Sequence, residues 1–165
     1  MEIVLIIGVV AIFLFAGVVV FGAPYLPTLT TRVSDAIELL DLKPGQTMLE
    51  LGCGDGRLLR AAAKKGIKAV GYELNPLLVI YAKLSSIRYG KLVSVRWANY
   101  WQIEWPPADG MYVFLLNPYM SKLHKKVVQY SDGKQFRLVS FAFKIKEAQV
   151  AKEKDSMFLY IYNKK

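Results

Sequence analysis

From Ile3 to Phe21, nineteen consecutive residues carry no charged or polar side chain. At about 1.5 Å per residue this run makes roughly 28 Å of helix, close to the roughly 30 Å hydrocarbon core of a bilayer. It predicts an uncleaved single-pass transmembrane anchor over residues 1–22. Met1-Glu2 lacks the positive charge of a secretory signal, and no small-x-small cleavage site follows. A cleaved signal and a buried core helix are the weaker alternatives. Basic residues from Arg32 onward favour a cytoplasmic position for the rest of the chain.

Beyond the run the pattern changes. Residues 23–32 form a linker punctuated by Pro24 and Pro27, which stop a helix and stiffen the exit. Apolar positions at Val33, Ala36, Ile37, Leu39 and Leu40 then trace one face of a helix over 33–42. Short apolar runs predict strands at 47–51, 68–74, 93–98, 110–116, 136–143 and 157–162. Helical patterns fall between them at 57–65, 76–90 and 120–130. Strands alternating with helices imply an α/β fold, a mostly parallel sheet with helices on both faces, over residues 33–165. Only 13 residues separate the last two strands. That is short for a crossover helix, so the last strand is expected to return antiparallel.

Composition sharpens this picture. The chain is 165 residues, 54% hydrophobic and 21% charged, which excludes intrinsic disorder. Residues 1–31 hold one charge, Glu2, so the remainder carries 22 basic and 12 acidic groups, a net +10. Such a surface suits anionic lipid headgroups or nucleic acid; beside an apolar N-terminal run, lipid is the better partner. A single cysteine, Cys53, excludes an internal disulfide, and with a single histidine, His124, it argues against a bound metal. Cys53 reads as a small, inert, buried side chain and His124 as a solvent-facing one.

The candidate chemistry begins where the first strand meets the second helix, in Glu50-Leu-Gly-Cys-Gly-Asp-Gly56. Gly52, Gly54 and Gly56 allow a tight turn and close approach of backbone to a ligand. An acid, Glu73, ends the next strand, 21 residues after Gly52. A carboxylate there accepts hydrogen bonds from both hydroxyls of a ribose. Dinucleotide sites hold pyrophosphate at this helix N-terminus, and Asp55 inside the turn would repel it. Asp55 and Glu50 instead suit a cofactor carrying a sulfonium and an ammonium group, S-adenosyl-L-methionine.

Glu50 to Arg57, followed by Ala61-Ala-Ala-Lys-Lys-Gly66 and Ala69-Val-Gly-Tyr-Glu-Leu-Asn-Pro76, resembles class I S-adenosylmethionine-dependent methyltransferases, with their Rossmann-like sheet. Within them the chain looks most like the family of the ATP synthase c-subunit and adenine nucleotide translocase lysine N-methyltransferases. Those proteins pair an N-terminal membrane segment with a Pro-x-x-Pro-Thr stretch, here Pro24-Tyr-Leu-Pro-Thr28. The resemblance implies that the linker folds over the cofactor and that Thr28, Glu50, Gly52, Gly54, Asp55, Gly56, Glu73, Leu74 and Asn75 line it. Asn99 and Tyr100 stand where the family has an Asp-Leu-Trp run, with Asn99 facing adenine. Asn117-Pro118-Tyr119 stands where the family has an apolar residue, Pro and Gln.

Asn117, Pro118, Tyr119 and Trp101 are the candidate catalytic residues. They would form a slot with apolar walls and acceptor carbonyls that favours a neutral lysine amine over its ammonium. The expected activity is N-methylation of a lysine near the bilayer, on a membrane protein. Asn117-Pro118-Tyr119 is also similar to the Asn-Pro-Pro-Tyr turn of methyltransferases acting on planar amino groups, of adenine or glutamine. A non-catalytic, membrane-tethered module that binds the cofactor is the third reading.

Overall fold

The computed structural model describes residues 2, 4, 5 and 8, then 30–131 and 133–163, with backbone alone at Thr30 and Thr31. Helix α1 spans Thr30–Leu40, strand β1 Thr47–Leu51, α2 Arg57–Lys64, β2 Lys68–Glu73 and α3 Pro76–Ser86. A 3-10 segment over Ile87–Leu92 leads to β3, Val93–Trp97. Then come β4 (Gly110–Val113), a 3-10 turn at Asn117–Tyr119, α4 (Met120–Tyr130), β5 (Phe136–Phe141), β6 (Lys152–Lys154) and β7 (Met157–Tyr162).

The seven strands form one sheet in the order β3-β2-β1-β4-β5-β7-β6. The pairs β3–β2, β2–β1, β1–β4 and β4–β5 are parallel. β7 returns antiparallel between β5 and β6, as expected of the last strand. Chain order reverses between β1 and β4. At such a switch point the connections leave in opposite directions and open a crevice at the carboxyl ends of the strands.

Apolar side chains fill both faces. Leu58, Leu59 and Ala62 of α2, Val79 and Ala82 of α3, and Ala36, Ile37 and Leu40 of α1 pack with Met48, Tyr112 and Val139. On the opposite face, Met120, Leu123 and Val127 of α4 pack with Leu49, Met111, Leu138 and Trp105. Asn75 starts α3 as its cap, its Oδ1 accepting from Leu77 N at 2.9 Å, with Pro76 in the first turn, where the missing N–H costs nothing.

The fold corrects several expectations. Among the described residues no helix is long and apolar enough to cross a membrane. The three longest helices described, α1, α3 and α4, have 11 residues each, about 16 Å and half a hydrocarbon core. That finding overturns the transmembrane helix expected at the head of the fold; most of residues 1–22, and 23–29 of the linker, lie outside the described residues. α1 starts at Thr30 and takes in the last three residues of the expected linker. The expected helix over 76–90 is α until Ser86 and then 3-10, broken at Gly90 (φ 52°). β5 stops at Phe141 because Ala142 takes a left-handed conformation, φ 66°. The lysine-rich stretch after it holds a strand with no sequence signal, β6, which turns into β7 through Asp155 and Ser156. Both have positive φ (52° and 62°), the requirement of a two-residue hairpin turn of type I′.

Candidate functional site

The glycine loop leaves β1 at the switch point. Gly52 N and Cys53 N both donate to Tyr72 O of β2, at 2.9 Å. Gly52 has φ 78°, and a Cβ built on it meets nothing within 4 Å. Glycine is thus needed for the backbone, and the space in front of it is open to a ligand. Gly56, φ 75°, caps α2. Cys53 is buried with burial pushing its thiol pKa up, so it is inert as expected. It rests on Gly71 of β2, where a Cβ would come within 2.7 Å of its Cβ and Sγ and 2.6 Å of Leu59 Cδ1. Gly71 is a site-building residue absent from the sequence-based expectations. Its signal is a glycine inside an apolar strand, which marks close approach of another element.

Three carboxylates converge here, each in a different state. Glu73 is 8% exposed and fully engaged: Oε2 accepts from Gly54 N at 2.9 Å, and Oε1 from Leu74 N and Asn75 N, both at 2.8 Å. The acid expected to face a ribose therefore also laces the glycine loop to the end of β2. Asp55 takes Arg57 in a close ion pair, with Nη2 to Oδ2 at 2.7 Å. Burial raises its pKa, but the Arg57 bonds outweigh that and hold it below the usual range. Glu50 is buried, and its Oε2 has no hydrogen-bond partner among the described residues. Burial, and then the charges of Asp55 and Glu73, push its carboxyl well up.

The second half of the site is aromatic. Asn99 Oδ1 accepts from Trp101 N at 3.0 Å, so it shapes the turn that carries Tyr100 and Trp101. Tyr100 packs on Trp101 with ring centroids 5.1 Å apart, and burial, followed by the charge of Glu73, lifts its phenol to about 12. Trp101 lies 6.3 Å from Tyr119, and the Lys122 ammonium sits 4.4 Å over its ring. Asn117, Pro118 and Tyr119 are exposed on their 3-10 turn, and Asn117 O accepts from Met120 N. The structure thus brings Glu50, the glycine loop, Glu73, Leu74 and Asn75 together at β1 and β2, and Trp101 and Tyr119 together in one wall. Thr28 lies outside the described residues. His124 is half-buried, not solvent-facing, with Nδ1 3.1 Å from Tyr162 Oη.

The aromatic wall depends on a residue the sequence did not advertise. Lys126 Nζ donates to Tyr100 O (2.9 Å), Trp101 O (3.3 Å) and Ile103 O (2.9 Å), and lies 4.6 Å over the Trp105 ring. Trp105 Nε1 donates to Tyr100 O as well. A single ammonium thereby gathers three loop carbonyls. Nothing in the spacing of Lys126 from this loop could have revealed it.

The site's donor set fits a cationic cofactor. Glu50 presents a buried, unpartnered oxygen, Gly52 opens onto free space, and the carboxylates of Asp55 and Glu73 act on Glu50 more strongly than the guanidiniums of Arg60 and Arg57. An ammonium would complete Glu50, whereas a pyrophosphate would meet like charge.

Comparison with known proteins agrees. The family model described as the ANTKMT methyltransferase domain matches residues 50–152. The ATP synthase c-subunit lysine N-methyltransferase of Xenopus laevis is 35% identical over 106 residues, 63% of this chain and 46% of that protein. The adenine nucleotide translocase lysine N-methyltransferase of Mus musculus is 36% identical over 107 residues, again 63% and 46%. The chain spans about half the length of these curated relatives. The crystal structure of an RNA methyltransferase from Salinibacter ruber with S-adenosyl-L-homocysteine superposes with a TM-score of 0.72 at 25% identity, covering 83% of this chain and 92% of that one. With its glycine loop, its buried acid at the end of β2 and the family match from Glu50 onward, the chain belongs to the family of the ANTKMT methyltransferase domain.

Proposed function

We propose that this protein is an S-adenosylmethionine-dependent protein-lysine N-methyltransferase. The observation that carries the reading is the aromatic wall beside the glycine loop, where Trp101 already holds a lysine ammonium, that of Lys122, at 4.4 Å. A surface that accepts one lysine cation has the shape and quadrupole to accept another. The lysine methyltransferase names of both curated relatives support the same class of substrate.

When bound, the cofactor supplies an electrophilic methyl group. The chain's own groups do the rest. Glu50, with its unpartnered buried oxygen, would take the cofactor's α-ammonium, and the open space in front of Gly52 would admit its chain. Glu73 and Asn75 would hold the ribose end, with Tyr100 beside Glu73. Trp101 and Tyr119 would present one aromatic wall to the incoming lysine and displace part of its water, which lowers the cost of losing its proton to solvent before it attacks. No general base is assigned. Catalysis then rests on alignment and desolvation.

A second reading is favoured by the exposure of Asn117 and Pro118 and by the Salinibacter ruber protein's description as an RNA methyltransferase. In that case Asn117 and the Pro118 carbonyl would accept the protons of a planar amino group. The deciding experiment offers the enzyme and isotopically labelled S-adenosylmethionine three acceptors: lysine-bearing membrane proteins, glutamine-bearing peptides and RNA. Label on lysine, located by mass spectrometry, supports the proposal. Label on RNA or glutamine replaces it with the second reading. Binding without transfer to any acceptor leaves only a cofactor-binding module.

A further inference from the structure

Helix α3 is apolar on both sides. Val79 and Ala82 face the core, while Leu77, Ile80, Tyr81 and Leu84, at helical spacing, point the opposite way and are exposed. Ile80 and Leu84 are 55% and 63% exposed, and Ile87 just beyond them 70%. Trp97, at the end of edge strand β3, is 67% exposed on the same side of the sheet, since β3 sends Val95 into the α3 core. Its Nε1 donates to Leu74 O at 2.9 Å, so the indole needs no outside partner and offers only its apolar body. A helix this apolar on its outer face signals a missing contact.

The surroundings of the stripe identify the contact. From Leu74 to Ile103 the chain has four basic residues, Lys83, Arg88, Lys91 and Arg96, and no acidic one. Beyond the end of the stripe, between α2 and the 3-10 segment that follows α3, lies a groove of about 350 Å³ lined by Arg57, Arg60, Lys64 and Arg88. The acid in its lining, Asp55, is ion-paired to Arg57. An apolar stripe with aromatic side chains next to a cationic groove is the chemistry of an interfacial membrane contact. A second copy of the chain fits less well, because Lys91 and Arg96 at the β3 edge would oppose strand pairing and set like charges together.

We infer that the outer face of α3, with Trp97 and the groove between α2 and the 3-10 segment, seats the folded domain on an anionic phospholipid surface. The stripe enters the headgroup boundary and the groove takes lipid phosphates. This contact is peripheral and requires no spanning helix.

The test uses the full chain with Leu84→Cys carrying an environment-sensitive fluorophore. The native Cys53 is buried and does not compete for the label. A second protein carries the fluorophore at Lys152→Cys, exposed on β6 at the opposite edge of the sheet. Vesicles containing phosphatidylserine should blue-shift the label at 84 and not that at 152; phosphatidylcholine vesicles and inorganic phosphate should shift neither. Ile80→Glu with Arg88→Glu, both on exposed positions, should reduce the response at 84 about tenfold or more. Equal shifts at both labels, a shift with neutral vesicles, or none would overturn the inference. So would a shift that grows with protein concentration in the absence of lipid, which marks self-association. A label at 84 already shielded without lipid would mean that another part of the chain covers the face, and would overturn it too.

Discussion

Glu73 reaches across from the end of β2 to Gly54, its Oε2 accepting the glycine's N–H at 2.9 Å. The same carboxylate takes Leu74 N and Asn75 N on its other oxygen. The acid we assign to the ribose is therefore also the latch of the glycine loop.

Its removal should cost both functions. Glu73→Ala leaves three amide donors without their charged acceptor, in a region that is largely buried. At the cost of charge-assisted bonds this is about 2–4 kcal/mol of stability, read as a lower urea midpoint. Affinity for S-adenosyl-L-homocysteine falls with it. Full stability with lost binding would show that Glu73 serves the ligand alone.

Glu50 couples stability to pH. Its folded pKa lies well above the ordinary 4.5, because burial, with Asp55 and Glu73, penalises its charge. A group whose pKa is raised on folding contributes stability that is present at low pH and lost as pH climbs through the raised value. Above that value the unliganded protein holds an uncompensated charge. Glu50→Gln should therefore be more stable than the parent at pH 8 without cofactor, the difference vanishing below about pH 4.5. The same variant should bind S-adenosylmethionine about tenfold or more weakly, having lost a charge-assisted partner for the ammonium. Thermal unfolding across pH, with calorimetric binding, checks both halves.

Gly71→Ala should destabilise the loop from behind. The new methyl would lie 2.7 Å from Cys53 and 2.6 Å from Leu59 Cδ1, so β2 or the loop has to move, at about 1–3 kcal/mol. Adding Cys53→Gly frees part of that space. Unfolding of the double variant should show a coupling of opposite sign to the single losses. Strict additivity would mean that Leu59 alone bears the clash.

Sequence pattern carried most of this architecture because strands alternate with helices and the turns use glycine, proline and asparagine at positions with clear backbone demands. Thr47–Leu51, Met120–Tyr130 and Met157–Tyr162 coincide with the expected limits. The placement of the glycine loop and Glu73 was legible for the same reason: it follows from local backbone geometry and the length of one βαβ unit. What escaped depends on side chains meeting from afar. Lys126 finds carbonyls 23 to 26 residues away, and β6 forms from lysines and a glutamate only because β7 offers an edge. The paired acceptance of Leu74 N and Asn75 N by Glu73, and the closure of Asp55 by Arg57, were invisible as well. Residue type reveals a carboxylate, not which of its oxygens is already taken.

Lys126→Met tests the clamp on the aromatic loop. Methionine keeps the contact with Trp105 but gives nothing to the carbonyls of Tyr100, Trp101 and Ile103. Amide exchange at residues 99–103 should accelerate, and kcat/KM for the acceptor should fall about tenfold through misplacement of Trp101. Unchanged exchange would assign the loop's order to Trp105 alone.

The wall itself is best probed by removing its present occupant. Lys122 holds its ammonium 4.4 Å over Trp101, the ring we assign to the incoming lysine. An exposed cation–π contact is worth about 0.5–1 kcal/mol, or a factor of about two to five. Lys122→Met vacates the ring without charge repulsion at the mouth, so KM for a lysine acceptor should fall by about that factor, with kcat little changed. Trp101→Ala removes the surface altogether and should raise KM and lower kcat, since the lysine loses both its resting place and its desolvation. In the double variant the benefit of Lys122→Met should disappear, because there is no longer a ring to vacate. If Lys122→Met still lowers KM when Trp101 is alanine, its effect is long-range electrostatics from a net +9 chain, and raising salt should reproduce it in the parent.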